Sequence, residues 1–235
     1  MSKRENILVI DTETAGSINA PLVYDLGIAV VQRATGEILE TRSLIISDIF
    51  VGRAADMQSA YYAEKIPMYR TALSRGHMQM VDFWSAWRIV RHLVKKHNIK
   101  RVYAYNASFD VRALDNTMRV LTSGNYRHFL PRTVKVCCIM NMACQTVLKQ
   151  KAYARFARAN GFVSEYGNIR STAEACYAYI TKNPGFIESH TGLDDAIIET
   201  AILHHILRQK KRVDEKPCHN AWRKIQVKPQ LQLEV

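Results

Sequence analysis

The chain has 235 residues, 48% of them hydrophobic, and carries 33 Lys and Arg against 21 Asp and Glu, a formal charge of +12. That length and apolar fraction suit one domain with extensions, and the basic excess suits a polyanionic partner, nucleic acid first. No run approaches the ~18 apolar residues of a membrane span, and no signal-peptide core follows Met1-Ser2-Lys3-Arg4-Glu5. A cytoplasmic location is expected. The cysteines Cys137, Cys138, Cys144, Cys176 and Cys218 are odd in number and include no C-x-x-C pair, which argues against a disulfide framework or a zinc site. They read as reduced, mostly buried thiols.

In chain order, Ile7-Leu8-Val9-Ile10 is an apolar, largely β-branched run that reads as a strand buried on both faces, inside a sheet. It runs straight into Asp11-Thr12-Glu13-Thr14, and a period of two puts Asp11 and Glu13 on one side. Such a pair persists either solvated at a surface or bridged by a divalent cation. Residues 25–32 and Ile38–Ile46 read as a hairpin around Gly36, completing a three-stranded meander. Residues 48–76 loosen into small, polar and aromatic residues, either a mobile flap or a packed helical insert. Its tyrosines, interleaved with Lys65 and Arg70, are either base-stacking groups or core.

Helical spacing of Phe83, Trp87, Val90 and Val94 predicts an amphipathic helix over 82–97, with Arg88, Arg91 and Lys95 on another face. Residues 101–105 read as a short strand, 109–121 as a helix and 133–139 as the last strand; the chain then looks helical to about Gln209, interrupted near Gly161, Gly167 and Pro184-Gly185. A meander followed by strand and helix alternation implies an α/β sandwich.

Asp110 begins the helix after a predicted strand, where a helix N-terminus stabilises an anion and where α/β proteins place ligands. Ser189-His190-Thr191-Gly192-Leu193-Asp194-Asp195-Ala196 puts a histidine on a loop and two carboxylates in the first turn of the next helix, where either could cap it. The other histidines have no matching carboxylate motif. Lys151, Arg155 and Arg158 fall at helical spacing as one basic stripe, either a phosphate track or a solvated face.

Asp11-Thr12-Glu13-Thr14, Tyr105-Asn106-Ala107-Ser108-Phe109-Asp110 and His190 to Ala196 resemble, in order, the three motifs of the DEDDh 3′–5′ exonuclease superfamily, across roughly residues 5–209. That superfamily includes the proofreading subunit of bacterial DNA polymerase, ribonuclease T and oligoribonuclease. The resemblance implies a ribonuclease-H-like fold, a central mixed sheet flanked by helices, in an exonuclease domain over 1–209. It implies Asp11, Glu13, Asp110 and Asp195 as ligands of two Mg²⁺ or Mn²⁺ ions and His190 as general base, with Asp194 left as the cap. Thr12, Thr14, Asn106 and Phe109 become contacts to the terminal nucleotide, although Phe109 could equally be core. The implied activity is 3′–5′ hydrolysis of single-stranded or frayed nucleic acid, DNA first, to nucleoside 5′-monophosphates. The rivals are an exoribonuclease trimming RNA 3′ ends and a catalytically silent nucleic-acid-binding module. Tyr105 and Gly192 depart from the common His and Ala of the pattern.

Beyond Gln209 the basic, Pro-containing stretch 210–235 has little periodicity and is expected to be an extended tail. Its last six residues resemble the peptides with which bacterial replication proteins dock on a sliding clamp, through Gln230, Leu233 and Val235.

Overall fold

The first strand, β1 (Asn6–Ala15), alternates its burial between two cores: Leu8 and Ile10 face one, Ile7 and Val9 the other. A strand buried on both faces must lie inside a sheet. In the computed structural model, which describes residues 5–226, it does. β2 (Leu22–Gln32) and β3 (Ile38–Ile46) continue it as an antiparallel meander. Three short helices follow, α1 (Ser47–Phe50), α2 (Ala54–Gln58) and α3 (Ile66–Ser74). Next come β4 (Gln79–Val81), α4 (Phe83–Lys96), β5 (Arg101–Ala104) and α5 (Ala107–Leu121). β6 (Lys135–Cys138), α6 (Ile139–Gln145), α7 (Lys151–Ala159), α8 (Ala173–Thr181) and α9 (Gly192–Arg208) complete the domain.

The six strands are ordered β4-β3-β2-β1-β5-β6; β5, β6 and β4 pair parallel to their neighbours, so the sheet is mixed. Helices α1 to α5 cover one face, with Ile49, Phe50, Met57, Tyr69, Val90 and Leu114 in that core. Helices α6 to α9 cover the other, through Met142, Tyr153, Cys176 and Leu203. α4 starts where Asp82 accepts the Ser85 backbone N–H at 2.9 Å, a cap of the expected kind, and buries Phe83, Ala86, Val90 and Leu93.

Residues 47–74 form a packed helical insert. Its fully buried Tyr69 donates its hydroxyl to Asp25 at 2.9 Å and meets Tyr24 and Phe50 edge to face, which anchors the insert to the sheet. Residues 210–220 form no helix or strand, in keeping with their lack of periodicity, but 210–226 is docked on the domain instead of standing alone. Glu215 accepts from Arg33 at 2.8 Å, its carbonyl accepts the Cys138 backbone N–H, Asn141 donates to the carbonyls of Asp214 and Lys216, and Ala221 and Ile225 enter the core. A buried guanidinium requires a carboxylate, and this segment brings one; no periodicity announces that. Gln230, Leu233 and Val235 lie outside the described residues. Among the described residues no helix is long and apolar enough to cross a membrane. All five cysteines are free, four of them buried.

Candidate active site

The odd residues of β1 face the helical layer that holds α9, so the alternation that buries Ile7 and Val9 carries on to Asp11 and Glu13. α9 reaches them because β2 and α9 touch backbone to backbone. A Cβ on Gly27 would lie 1.9 Å from the Gly192 carbonyl, and one on Gly192 would lie 2.6 Å from the Gly27 nitrogen. Gly192, which departs from the common Ala of the motif, is what the Gly27 contact demands. The approach is sealed by Asp25, whose fully buried carboxylate accepts the Gly192 N–H at 2.9 Å and the Tyr69 hydroxyl at 2.9 Å. Asp195, in the first turn of α9, then faces the β1 acids. Asp110 arrives from the opposite layer, in the first turn of α5, and its Oδ1 accepts the Thr12 hydroxyl at 2.9 Å.

His190 sits on the loop before α9 with φ +50°, a left-handed conformation that L residues other than Asn and Asp seldom adopt. The insert holds it there. Tyr62 stacks on the imidazole with centroids 4.5 Å apart and planes 19° apart. Lys65 lies over the Tyr62 ring at 4.3 Å and donates to the Ser189 carbonyl at 2.6 Å. Glu188 stands 3.9 Å from His190 Nδ1. Asp194 accepts the hydroxyls of Thr191 and Ser189, at 2.9 and 3.2 Å, and so ties the loop instead of capping backbone N–H groups as expected.

These groups share one pocket of about 350 Å³, lined by Asp11, Thr12, Glu13, Asn106, Phe109, Asp110, His190 and Asp195 together with Tyr62, Tyr105, Met140, 171–173, Glu188 and Glu199. Ligand atoms of Glu13, His190 and Asp195 lie within 4.8 Å of one another. Phe109 is half-buried at the rim with Arg112 5.5 Å over its ring, which puts it in the pocket and not in the core. Tyr105, where His is common, donates its hydroxyl to the carbonyls of Ser171 and Thr172 at 2.9 and 3.1 Å and fixes that rim. Thr14 does not line the pocket, because the β1–β2 register shifts between Glu13 and Thr14 and turns the strand end away. Lys151, Arg155 and Arg158 are exposed on α7 outside it, on the helix face opposite the buried Tyr153, whose hydroxyl donates to the Arg170 carbonyl.

Crowding shows in the acidities. Burial first, then Asp195 and Asp25, pushes Glu13 up to about 9; burial, Glu188 and Asp194 push Asp195 to about 8; and burial raises Asp110 to about 7. Asp11 and Glu199 are held well above the carboxylate range by burial and by neighbouring acids, Glu199 being the first such neighbour of Asp11. Burial raises Asp25 to about 6 and Glu188 to about 7. His190 is held below its ordinary value by burial and by Lys65.

A divalent cation fits this donor set. The groups are hard oxygens plus one imidazole, and the buried Asp195 Oδ1 and Glu199 Oε2 have no hydrogen-bond partner. Sequence reasoning placed Tyr62 and Lys65 only in a stretch of base-stacking or core tyrosines, and it missed Glu188 and Glu199. Glu199 alone carried a signal, an acid one helical turn after Asp195 in an otherwise apolar helix.

No family model matches the chain, and no curated protein does. Solved structures share its fold. The nuclease domain of 3′hExo, a DEDDh family member, bound to rAMP, superposes with a TM-score of 0.61 at 14% identity, covering 92% of this chain and 98% of that one. A 3′-exonuclease in 3′-end-specific recognition of histone mRNA stem-loop gives 0.60 at 14% identity, over 94% and 90%. The zinc-bound E. coli ExoI–ssDNA complex gives 0.51 at 11% identity, over 88% of this chain and 41% of that one. The chain has the α/β, ribonuclease-H-like fold shared by these 3′-exonucleases.

Proposed function

We propose that the protein is a divalent-metal-dependent 3′–5′ exonuclease of the DEDDh superfamily, hydrolysing single-stranded or frayed nucleic acid, DNA first, to nucleoside 5′-monophosphates. The observation that carries this reading is the meeting of Asp11, Glu13, Asp110, Asp195 and His190, from three separate motifs, in one pocket. Asp11, Glu13, Asp110 and Asp195 would hold two Mg²⁺ or Mn²⁺ ions. When bound, such ions neutralise phosphate charge and make water a competent nucleophile at neutral pH. His190 takes the proton of the attacking water, a task that suits an imidazole. Tyr62 and Lys65 hold it over Glu13 and Asp195 in its left-handed backbone conformation. Thr12, Asn106 and Phe109 meet the terminal nucleotide at the rim. Lys151, Arg155 and Arg158, exposed together on α7, would take phosphates further along the strand.

The second reading, trimming of RNA 3′ ends, is favoured by the similar structures with rAMP and histone mRNA stem-loop. A 2′-hydroxyl at the terminal nucleotide separates the two. The complete set of acids with a histidine speaks against a silent binding module. Purified Asp11→Ala should release no mononucleotide in Mg²⁺ or Mn²⁺ while keeping its fold by circular dichroism. His190→Ala should lose about 10²-fold or more in rate, the share of a general base. Full turnover by either variant would overturn the assignment.

A further inference from the structure

Glu199 belongs to the same pocket but to none of the three motifs. It follows Asp195 by four residues on α9, so the two carboxylates lie one turn apart on the same helix face, turned toward β1. Glu199 is only 2% exposed, and its Oε2 has no hydrogen-bond partner. Among the described residues it makes no ion pair; Lys65, the cation at this pocket, is spent on the Ser189 carbonyl. Its helix neighbours Ala196, Ile202, Leu203 and Ile206 are buried and apolar, so an aliphatic side chain would fit the position. The Tyr105 backbone N–H meets this carboxyl, but its buried Oε2 is left with no donor, a cost that a bound cation would remove. Glu199 faces Asp11, Asp110 and Asp195, which share its sign. Six carboxylates line the pocket, Asp11, Glu13, Asp110, Glu188, Asp195 and Glu199.

We propose that Glu199 is a fifth carboxylate ligand of the metal centre, so that this chain holds its cations with five acids and not four. The inference rests on the metal-dependent reading above.

Mn²⁺ titrated calorimetrically into metal-free full-length protein tests it, with thermal unfolding of the metal-free forms measured in parallel. Glu199→Gln, which keeps the shape of the carboxyl, should melt close to the wild-type temperature without metal, yet bind Mn²⁺ about 10-fold or more weakly or lose one site. Glu199→Leu, close in volume and suited to its apolar neighbours, is the second variant and should lose Mn²⁺ in the same way. Wild-type affinity and stoichiometry in Glu199→Gln, with weakened binding in an Asp11→Asn control, would overturn the role of Glu199 alone. Unchanged Mn²⁺ binding in both Glu199→Gln and Asp11→Asn would overturn it together with the metal-dependent reading.

Discussion

Gly27→Ala should damage stability and activity together, although Gly27 touches no reacting group. The added Cβ would sit 1.9 Å from both carbonyl atoms of Gly192 and 2.2 Å from the Leu193 nitrogen, all of them backbone, so no side chain can yield. Restoring ordinary contact means that the start of α9 retreats by about 1.5 Å. That retreat breaks the 2.9 Å bond from Gly192 N–H to the buried Asp25. Overpacking and a partly orphaned carboxylate together cost roughly 2–5 kcal/mol. At about 2–4 °C per kcal/mol for a chain of this size, the midpoint falls by roughly 5–20 °C. Because His190 and Asp195 flank Gly192, a displacement of this size should also slow turnover by about 10²-fold at a temperature where both proteins are folded. Thermal unfolding by circular dichroism and mononucleotide release measure the two effects. A variant that melts within a degree of wild type and keeps its rate would refute the claim that this contact sets the site.

Glu40 accepts from Lys96 and His97, at 2.8 and 2.7 Å, and those bonds hold its carboxyl down at about 2. Its contribution is complete above the ordinary value of 4.5 and disappears as pH falls through about 2. The difference in melting temperature between wild type and Glu40→Gln should therefore narrow from pH 5 downward; a constant difference would contradict the pairing. Glu215→Ala leaves the buried Arg33 guanidinium short of its 2.8 Å partner and should lower stability by roughly 1.5–3 kcal/mol in urea titrations. An unchanged urea midpoint would mean that 210–226 is not held through this pair. Replacing Lys151, Arg155 and Arg158 by Ala should flatten the log–log salt dependence of single-strand binding by about 2, at about 0.7 per phosphate. An unchanged slope would return the stripe to a solvated face.

The strand carrying Asp11 and Glu13 was legible as a continuous β-branched apolar run, the hairpin beyond it by two such runs around Gly36, and the helix after Asp82 by helical spacing of its apolar residues. β4 was not, since three residues on an exposed sheet edge leave no alternation to read. The four acids and His190 stood out because their spacing matched a pattern. Tyr62 and Lys65 did not, because they act through a fold-back of the insert onto a loop 124 residues away from Lys65. Long-range pairing of that kind leaves no local trace. The docked 210–226 segment shows the same limit: its composition is that of a solvated tail, and only the buried Arg33, just past the end of β2, reveals what Glu215 is for.

The most direct measurement is digestion of single-stranded DNA and RNA of one sequence, labelled at the 5′ end, in Mg²⁺ or Mn²⁺ and with a chelator. The account predicts a ladder of progressively shorter strands that keep the 5′ label, appearing with metal, absent with chelator and absent for Asp195→Asn. Release of the label as a mononucleotide at the first time points, internal cleavage, or an intact strand under every metal condition would contradict it.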